Sequence, residues 1–204
     1  MSEQLEKNQR YVYVLLTGTN TIIAKLIRLY TRKPFSHVSL ALDAELEELY
    51  SFARKQRFNP LNSGFVKEDL NKGVFGADKN AKCGVYQVPV TDEQYERISE
   101  EIMHFVKNED DYSYNYLGLF SAMFGKNVEN DTRFLCSQFV HYICQKGGVF
   151  LFPETDMLIR PFDFHLQLED KQIYTGKLSE YRKYLDSQYD MDSMYNEENY
   201  AEAI

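Results

Sequence analysis

The sequence lacks several features that would place it in a specialised class. It contains no Trp, only three Cys among its 204 residues, and no apolar run that approaches the roughly 20 residues of a membrane-spanning helix. Three Cys cannot build a disulfide framework, and Cys136 and Cys144, about 12 Å apart on a predicted helix, lie too far apart to bridge. The polar start of the chain does not resemble a signal peptide. We therefore expect a reduced, cytoplasmic protein without a membrane span.

The charge of the chain is negative and unevenly distributed. Lys and Arg number 23 against 31 Asp and Glu, a formal net charge of −8, whereas most nucleic-acid-binding proteins are basic. We therefore expect no nucleic-acid partner. Residues 185–204 contain six of the acids and no Lys or Arg. Such a segment buries too little apolar surface to offset its ordering entropy, so we expect one domain in residues 1–184 and a flexible acidic tail in residues 185–204.

Hydrophobic periodicity predicts both strands and helices. Strands are predicted at residues 11–16, 37–42, 48–53, 84–90 and 173–178, and helices after residue 20, after a capping box at Thr91–Gln94, at residues 112–124 and at residues 134–145. Residues 54–82 show few periodic runs, which predicts a long loop with short strands. Such a loop often covers a functional site. This order predicts an α+β fold in which an antiparallel sheet packs against helices.

Two residues have the surroundings that a cysteine nucleophile requires. Cys136 lies at the start of a predicted helix, where free backbone N–H groups and the helix dipole stabilise a thiolate. His37 begins an alternating strand and lies on the face opposite its apolar residues, where a rigidly held imidazole can exchange a proton with a thiol. Either residue alone is more often an ordinary core or surface residue, so the hypothesis depends on the pair.

The other His and Cys residues do not form a metal-binding pattern. The four His and three Cys show neither the spacing of zinc ligands nor a C-x-x-C motif, so we expect no metal and no cofactor. Arg54, Lys55 and Arg57 form a short basic cluster beside the predicted site. This cluster is either a solvated edge or a binding site for a substrate carboxylate or phosphate.

Two motifs together resemble a known family. The segments S-H-V-S-L-A-L-D at residues 36–43 and F-L-C-S-Q-F-V at residues 134–140 resemble the permuted papain-like cysteine hydrolases. These are the circularly permuted branch of the NlpC-type cell-wall peptidase superfamily, related to lecithin:retinol acyltransferase. The segments at residues 48–54 and 174–178 are also similar, and the resemblance extends over about residues 11–178. It implies a papain-like fold in permuted order, with the His strand before the Cys helix.

The resemblance also implies roles for individual residues. Cys136 matches the nucleophile of the family and His37 its general base, with backbone N–H groups of the Cys helix binding the oxyanion. A third polar residue on the strand after the His strand orients the imidazole, and that strand offers Ser51 and Tyr50, with Glu48 as an alternative in a shifted register. The implied reaction is cleavage of an amide or ester bond in a small peptide or acyl substrate.

Two alternatives to a hydrolase stay open at this point. Ser51 and Tyr50 are not the residue types that the superfamily usually has at the third position, which favours a non-catalytic ligand-binding protein on the same fold. A thiol-dependent acyltransferase acting on lipid is the other alternative. It differs from the hydrolase in the acceptor of the acyl group rather than in the nucleophile.

Overall fold

A six-stranded antiparallel sheet organises the chain. The computed structural model describes residues 9–20, 22–55, 62–78, 80–122, 130–153 and 158–202. Its strands are β1 (Arg10–Gly18), β2 (His37–Ala41), β3 (Leu49–Arg54), β4 (Ser63–Glu68), β5 (Lys82–Val90), β6 (Ser113–Tyr114), β7 (Arg133–Phe134) and β8 (Gln172–Lys177). The large sheet has the order β4-β3-β2-β1-β5-β8, and β6 and β7 form a separate parallel pair.

Helices cover both faces of the large sheet. They are α1 (Ile22–Thr31), α2 (Gly73–Ala77), α3 (Asp92–Lys107), α4 (Tyr116–Ala122), α5 (Cys136–Lys146), α6 (Pro161–Gln167) and α7 (Tyr181–Glu202). The apolar faces of α3 and α5 pack on one side of the sheet. On the other side, α2 and the start of α7 cover a second, smaller cluster. The predicted α+β class with an antiparallel sheet against helices is confirmed.

Alternation along β2 separates the polar residues from the larger core. Val38 and Leu40 point toward α3 and α5, whereas Ala41 belongs to the smaller cluster on the opposite face. Because side chains alternate along a strand, His37 and Ser39 share the face of Ala41. His37 is the first residue of β2 and pairs with Thr17 of β1. It therefore lies at one end of a strand in the middle of the sheet.

Two local predictions can be compared directly with the structure. The capping box is present, since the Thr91 hydroxyl accepts from the Gln94 N–H and the Gln94 side chain accepts from the Thr91 N–H. The helix expected at residues 134–145 begins instead at Cys136. Phe134 forms part of β7 because it pairs with Tyr114 of β6. No helix in the described ranges is long and apolar enough to cross a membrane.

The last helix runs across the expected domain boundary at residue 184. Leu185 is buried with Tyr181 and Leu178 in the smaller cluster, and the Tyr189 hydroxyl donates to Glu45 at 2.8 Å. Tyr181 and Leu185 are spaced i, i+4, so they share one face of the helix. The acidic composition of residues 185–204 concealed this apolar pair in the sequence. The first residues of the predicted tail therefore belong to a helix that packs against the rest of the protein.

Replacing Leu185 by Ala should destabilise the protein. Leu185 is 6% exposed, and removing a buried Leu side chain in favour of Ala costs about 2 kcal/mol or more. Urea unfolding of the full chain measures this loss. Met191→Ala is the matched control because Met191 lies on the same helix but is 55% exposed. Equal stabilities of the Leu185→Ala variant and the parent protein would contradict the packing of this helix on the sheet.

Candidate active site

Cys136 is the first residue of α5, and the sequence around it fixes this position. The N–H of Leu135, the residue before the helix, donates to the Gln138 side chain at 2.9 Å. Phe139, Val140 and Ile143 then anchor the helix in the larger core. Since the first N–H groups of a helix have no intrahelical acceptor, backbone donors and the positive end of the helix dipole surround the Cys136 thiol.

The imidazole of His37 connects the thiol to a group of oxygens. Cys136 interacts with the His37 side chain closely enough to raise the pKa of the imidazole. Its Nε2 atom lies 3.0 Å from Glu68 Oε1, 3.2 Å from Ser39 Oγ and 3.3 Å from Ser51 Oγ. All three oxygens meet Nε2, which leaves Nδ1 as the ring nitrogen available to the thiol.

Glu68 is the carboxylate of this group, and sequence reasoning missed it. It is the last residue of β4 and reaches His37 across β3, because Glu68, Ser51 and His37 lie on the same face of three neighbouring strands. The Ser39 hydroxyl donates to the other carboxylate oxygen of Glu68. The signal available in the sequence was a short run, S-G-F-V-K-E, inside a segment predicted to be mainly loop.

The two residues expected to orient His37 have different positions. Ser51 contacts the imidazole, as described above, and is completely buried. Tyr50 lies on the opposite face, where its ring stacks on Phe65 at 5.9 Å and its hydroxyl donates to Glu48. Glu48, the alternative candidate, is held by Lys67 and Tyr50. The structure therefore brings Ser51, and neither Tyr50 nor Glu48, to the imidazole.

The surroundings of His37 favour its charged form. Burial by itself would lower the pKa of His37, but the charges of Glu68 and Cys136 and the hydrogen bonds to both raise it to about 10. The side chains of His37 and Glu68 are only 17% and 10% exposed, so solvent screens their attraction weakly. The imidazole is consequently a cation at neutral pH that faces the thiol on one side and the carboxylate on the other.

The other two Cys residues have the opposite environment. Burial raises the pKa of both Cys83 and Cys144 to about 12. Each is 1% exposed and packed in an apolar cluster. Both therefore remain neutral thiols at physiological pH.

A tyrosine on β6, a separate element, interacts with the charge of Cys136. Burial, followed by the charges of Cys136 and Tyr116, raises the pKa of Tyr114 well above its ordinary value, so the phenol keeps its proton. Asn115 fixes this segment on the start of α5, because its N–H donates to Phe134 O at 3.0 Å and its side-chain amide donates to Gln138 at 3.5 Å. The structure thus adds a buried, protonated phenol that interacts with the charge of Cys136, and sequence reasoning did not identify it.

A small cavity opens at His37. It has a volume of about 90 Å³, the space of roughly three water molecules. Its lining includes His37, Glu68, Tyr114, Ser36, Ile27 and Arg54. Glu68 and Arg54 also line a larger groove of about 1100 Å³. Of the predicted basic cluster, Arg54 and Lys55 border this groove, and Arg57 lies outside the described residues. No group of three or more metal-ligating side chains occurs within the described ranges.

Replacing Glu68 by Gln should lower the pKa of His37 by about one unit or more, because an adjacent opposite charge is removed. A His whose pKa is raised stabilises the fold fully below its ordinary value near 6.5, and this contribution is lost as the pH rises through about 10. The stability deficit of Glu68→Gln should therefore be largest near pH 6 and shrink toward pH 10. NMR titration of the His37 ring and urea unfolding across this range measure both effects.

Glu48→Gln is the matched control for this experiment. Glu48 lies directly before β3 and, like Glu68, is a hydrogen-bonded carboxylate. Its partners are Lys67 and Tyr50 rather than His37. Its replacement should leave the His37 titration unchanged. An unchanged His37 titration in Glu68→Gln as well would show that Glu68 does not hold the imidazole in its charged form.

A scan against protein-family models and a search of curated proteins both find no match for the chain. The resemblance to permuted papain-like cysteine hydrolases accordingly stays a prediction from the motifs.

Proposed function

We propose that the protein is a cysteine hydrolase that cleaves an amide or ester bond through Cys136. The observation that carries the proposal is a single imidazole shared between a thiol at a helix N-terminus and a nearly buried carboxylate. A nucleophile, a base and a group that orients the base are the parts that covalent acyl transfer requires. Their order, with the His strand before the Cys helix, supports a papain-like fold in permuted order.

The proposed reaction has two steps. In the first, the Cys136 thiolate beside the protonated His37 attacks the substrate carbonyl, a thioester forms, and the bond to the leaving group breaks as His37 gives its proton to the departing amine or alcohol. In the second, His37 takes a proton from water, the resulting hydroxide attacks the thioester, and the acid product leaves Cys136 as the thiolate beside the protonated His37, which restores the starting state. The Glu68 carboxylate stabilises the imidazolium, the role that a carboxylate has in related triads.

The oxyanion of each step needs hydrogen-bond donors near the sulfur. Backbone N–H groups at the start of α5, at Cys136 and Ser137, are available because helix N-termini leave them unpaired. Tyr114 adds a protonated phenol that lines the cavity at His37 and interacts with the charge of Cys136. These donors favour a tetrahedral intermediate at a carbonyl carbon, which is the common feature of amide and ester hydrolysis.

The size of the cavity limits the substrate class. A space of about 90 Å³ accommodates a small group beside His37, and the rest of the substrate has to extend outward. The adjoining groove presents side chains of both charges, including Glu47, Lys67 and Arg182. This lining supports a small polar substrate such as a short peptide, held partly through ion pairs.

Labelling with iodoacetamide tests the nucleophile. At pH 7, Cys136 should react at least about 100-fold faster than Cys83 or Cys144, since a thiolate is the reactive species and those two thiols have pKa values near 12. Peptide mapping by mass spectrometry assigns the labelled positions. His37→Gln should slow the labelling of Cys136 and leave Cys83 and Cys144 unaffected. Equal, slow labelling of all three Cys would instead favour the non-catalytic binding protein.

Hydrolysis of p-nitrophenyl acetate and of a panel of short peptide amides tests turnover, with Cys136→Ser as the blank. Ser51→Ala should reduce kcat by about tenfold, because one of the contacts that orient His37 is lost. Tyr50→Phe is the matched control on the same strand and should leave kcat unchanged. A larger loss in Tyr50→Phe than in Ser51→Ala would contradict the assignment. Acyl transfer to added alcohols or amines in place of water would identify an acyltransferase.

A further inference from the structure

Ser36 has a buried hydroxyl without a hydrogen-bond partner. Ser36 is 4% exposed, and within the described parts of the chain its Oγ atom neither donates nor accepts a hydrogen bond. Its backbone is engaged, since the Ser36 N–H donates to the Thr17 carbonyl at 2.9 Å. A buried hydroxyl without a partner costs stability. Such a group in a folded protein therefore calls for an explanation, such as a functional role or a bound ion or water.

The location of Ser36 points to a bound group as that explanation. Ser36 directly precedes His37, and both residues line the cavity of about 90 Å³. Thr17 also has a buried hydroxyl without a partner among the described residues, and it pairs with His37 across the sheet, but it is not part of the cavity lining. Rotation about the single torsion χ1 turns the Ser36 hydroxyl toward the cavity. Of these two hydroxyls, the one on Ser36 is thus placed to meet a ligand.

The other polar groups of the cavity include several hydrogen-bond donors. The Tyr114 phenol keeps its proton, because burial raises its pKa well above the ordinary value. The guanidinium of Arg54 carries five N–H donors and no acceptor, and it lines both the cavity and the larger groove. Glu68 is the carboxylate of the lining, and its two oxygens already accept from His37 and Ser39. A set dominated by donors matches a ligand that brings acceptors.

The charges and the size of the cavity narrow the class of ligand. Arg54 and the protonated His37 are positive and Glu68 is negative, so positive charge is in excess along the lining. A carboxylate accepts hydrogen bonds from hydroxyl groups and pairs well with a guanidinium. The space of roughly three water molecules is close to that of a carboxylate with one or two carbon atoms. A small carboxylate therefore fits the donors, the charge and the volume together.

We propose that this cavity binds a small carboxylate, with the Ser36 and Tyr114 hydroxyls and the Arg54 guanidinium as the donors. The cavity and the larger groove share Arg54 and Glu68 in their linings, so a longer ligand can place its carboxylate in the cavity and extend into the groove. For the proposed hydrolase, on which this role rests, such ligands are short peptides or acyl compounds that carry a carboxylate.

Titration with sodium acetate, followed by NMR, tests the site. His37 lines the cavity, so its ring signals report a bound group, and the His37→Gln variant identifies them among the four His. At pH 7, acetate should shift these signals saturably, with half-saturation on the order of 10 mM for so small a ligand. Acetamide, which has a similar shape without the charge, should bind at least about tenfold more weakly. Sodium chloride keeps the ionic strength constant throughout.

Two variants test the named donors. Ser36→Ala and Arg54→Gln should each raise the half-saturating acetate concentration by about fivefold or more. Ser36→Ala should fold as the parent protein does, because the hydroxyl that it removes has no partner in the described ranges. Thr17→Val is its control, since Thr17 has a similar buried hydroxyl outside the cavity lining. Arg133→Gln is the control for Arg54→Gln, since Arg133 is an exposed strand residue outside this lining. Both controls should bind acetate as the parent protein does.

Four results would overturn the proposal. They are the absence of a saturable shift with acetate, equal binding of acetate and acetamide, unchanged acetate binding in Ser36→Ala and Arg54→Gln, and an equal loss of binding in the control variants. A cavity that holds water only would give the first result. The titration involves no reaction at Cys136. Acetate can therefore bind while labelling and turnover fail, and Cys136 can react while acetate does not bind, so the failure of either proposal is distinguishable from the failure of the other.

Discussion

The nearly buried contact between the His37 imidazole and the Glu68 carboxylate is the interaction on which the rest of the site depends. Removing two charged groups from water is costly unless they are close and fully hydrogen-bonded. Here the carboxylate meets both the imidazole and the Ser39 hydroxyl, and Ser51 adds a further oxygen beside Nε2. The pair is tolerated inside the fold because both carboxylate oxygens and the Nε2 atom of the imidazole have partners.

Strand register is the structural condition for this contact. His37, Ser51 and Glu68 come from three neighbouring strands and meet because side chains of paired strands alternate in phase. If the register of β2 shifted by one residue, Val38 and Leu40 would take the positions of His37 and Ser39 on the other face of the sheet. That exchange would expose two core residues and bury two polar ones, so the same hydrophobic core that stabilises the sheet also enforces the arrangement of the site.

The helix of Cys136 combines rigidity with an open end. Phe139, Val140 and Ile143 are completely buried, which holds the axis of α5 against the sheet, while Cys136 in the first turn interacts with His37 and Tyr114. Asn115 and Gln138 link this turn to the segment of Tyr114. A nucleophile positioned by packing of its own helix needs no flexible loop to reach its base, which favours a site that is assembled before substrate binds.

The amino-acid sequence by itself determined the parts of the molecule that local patterns specify. Alternation in residues 37–42 correctly separated the face of His37 from the apolar face, the Thr91 capping box located the start of α3, and Cys136 was placed at a helix N-terminus. The sheet and the α+β class followed from the same periodicities. Such features depend on neighbours a few residues away, so they are visible in a single sequence.

Only the tertiary structure decided which distant residues meet. Glu68 lies in a run that has few turn or periodicity signals, and its role arises because β4 pairs with β3 and brings the carboxylate across to β2. Tyr50 and Ser51 are adjacent in sequence, yet the pairing of β3 turns Ser51 toward His37 and Tyr50 into the core. Leu185, counted with an acidic tail by composition, is buried because α7 packs against the sheet. Composition and local periodicity report the average surroundings of a residue, whereas contacts between strands and helices depend on how the whole chain folds.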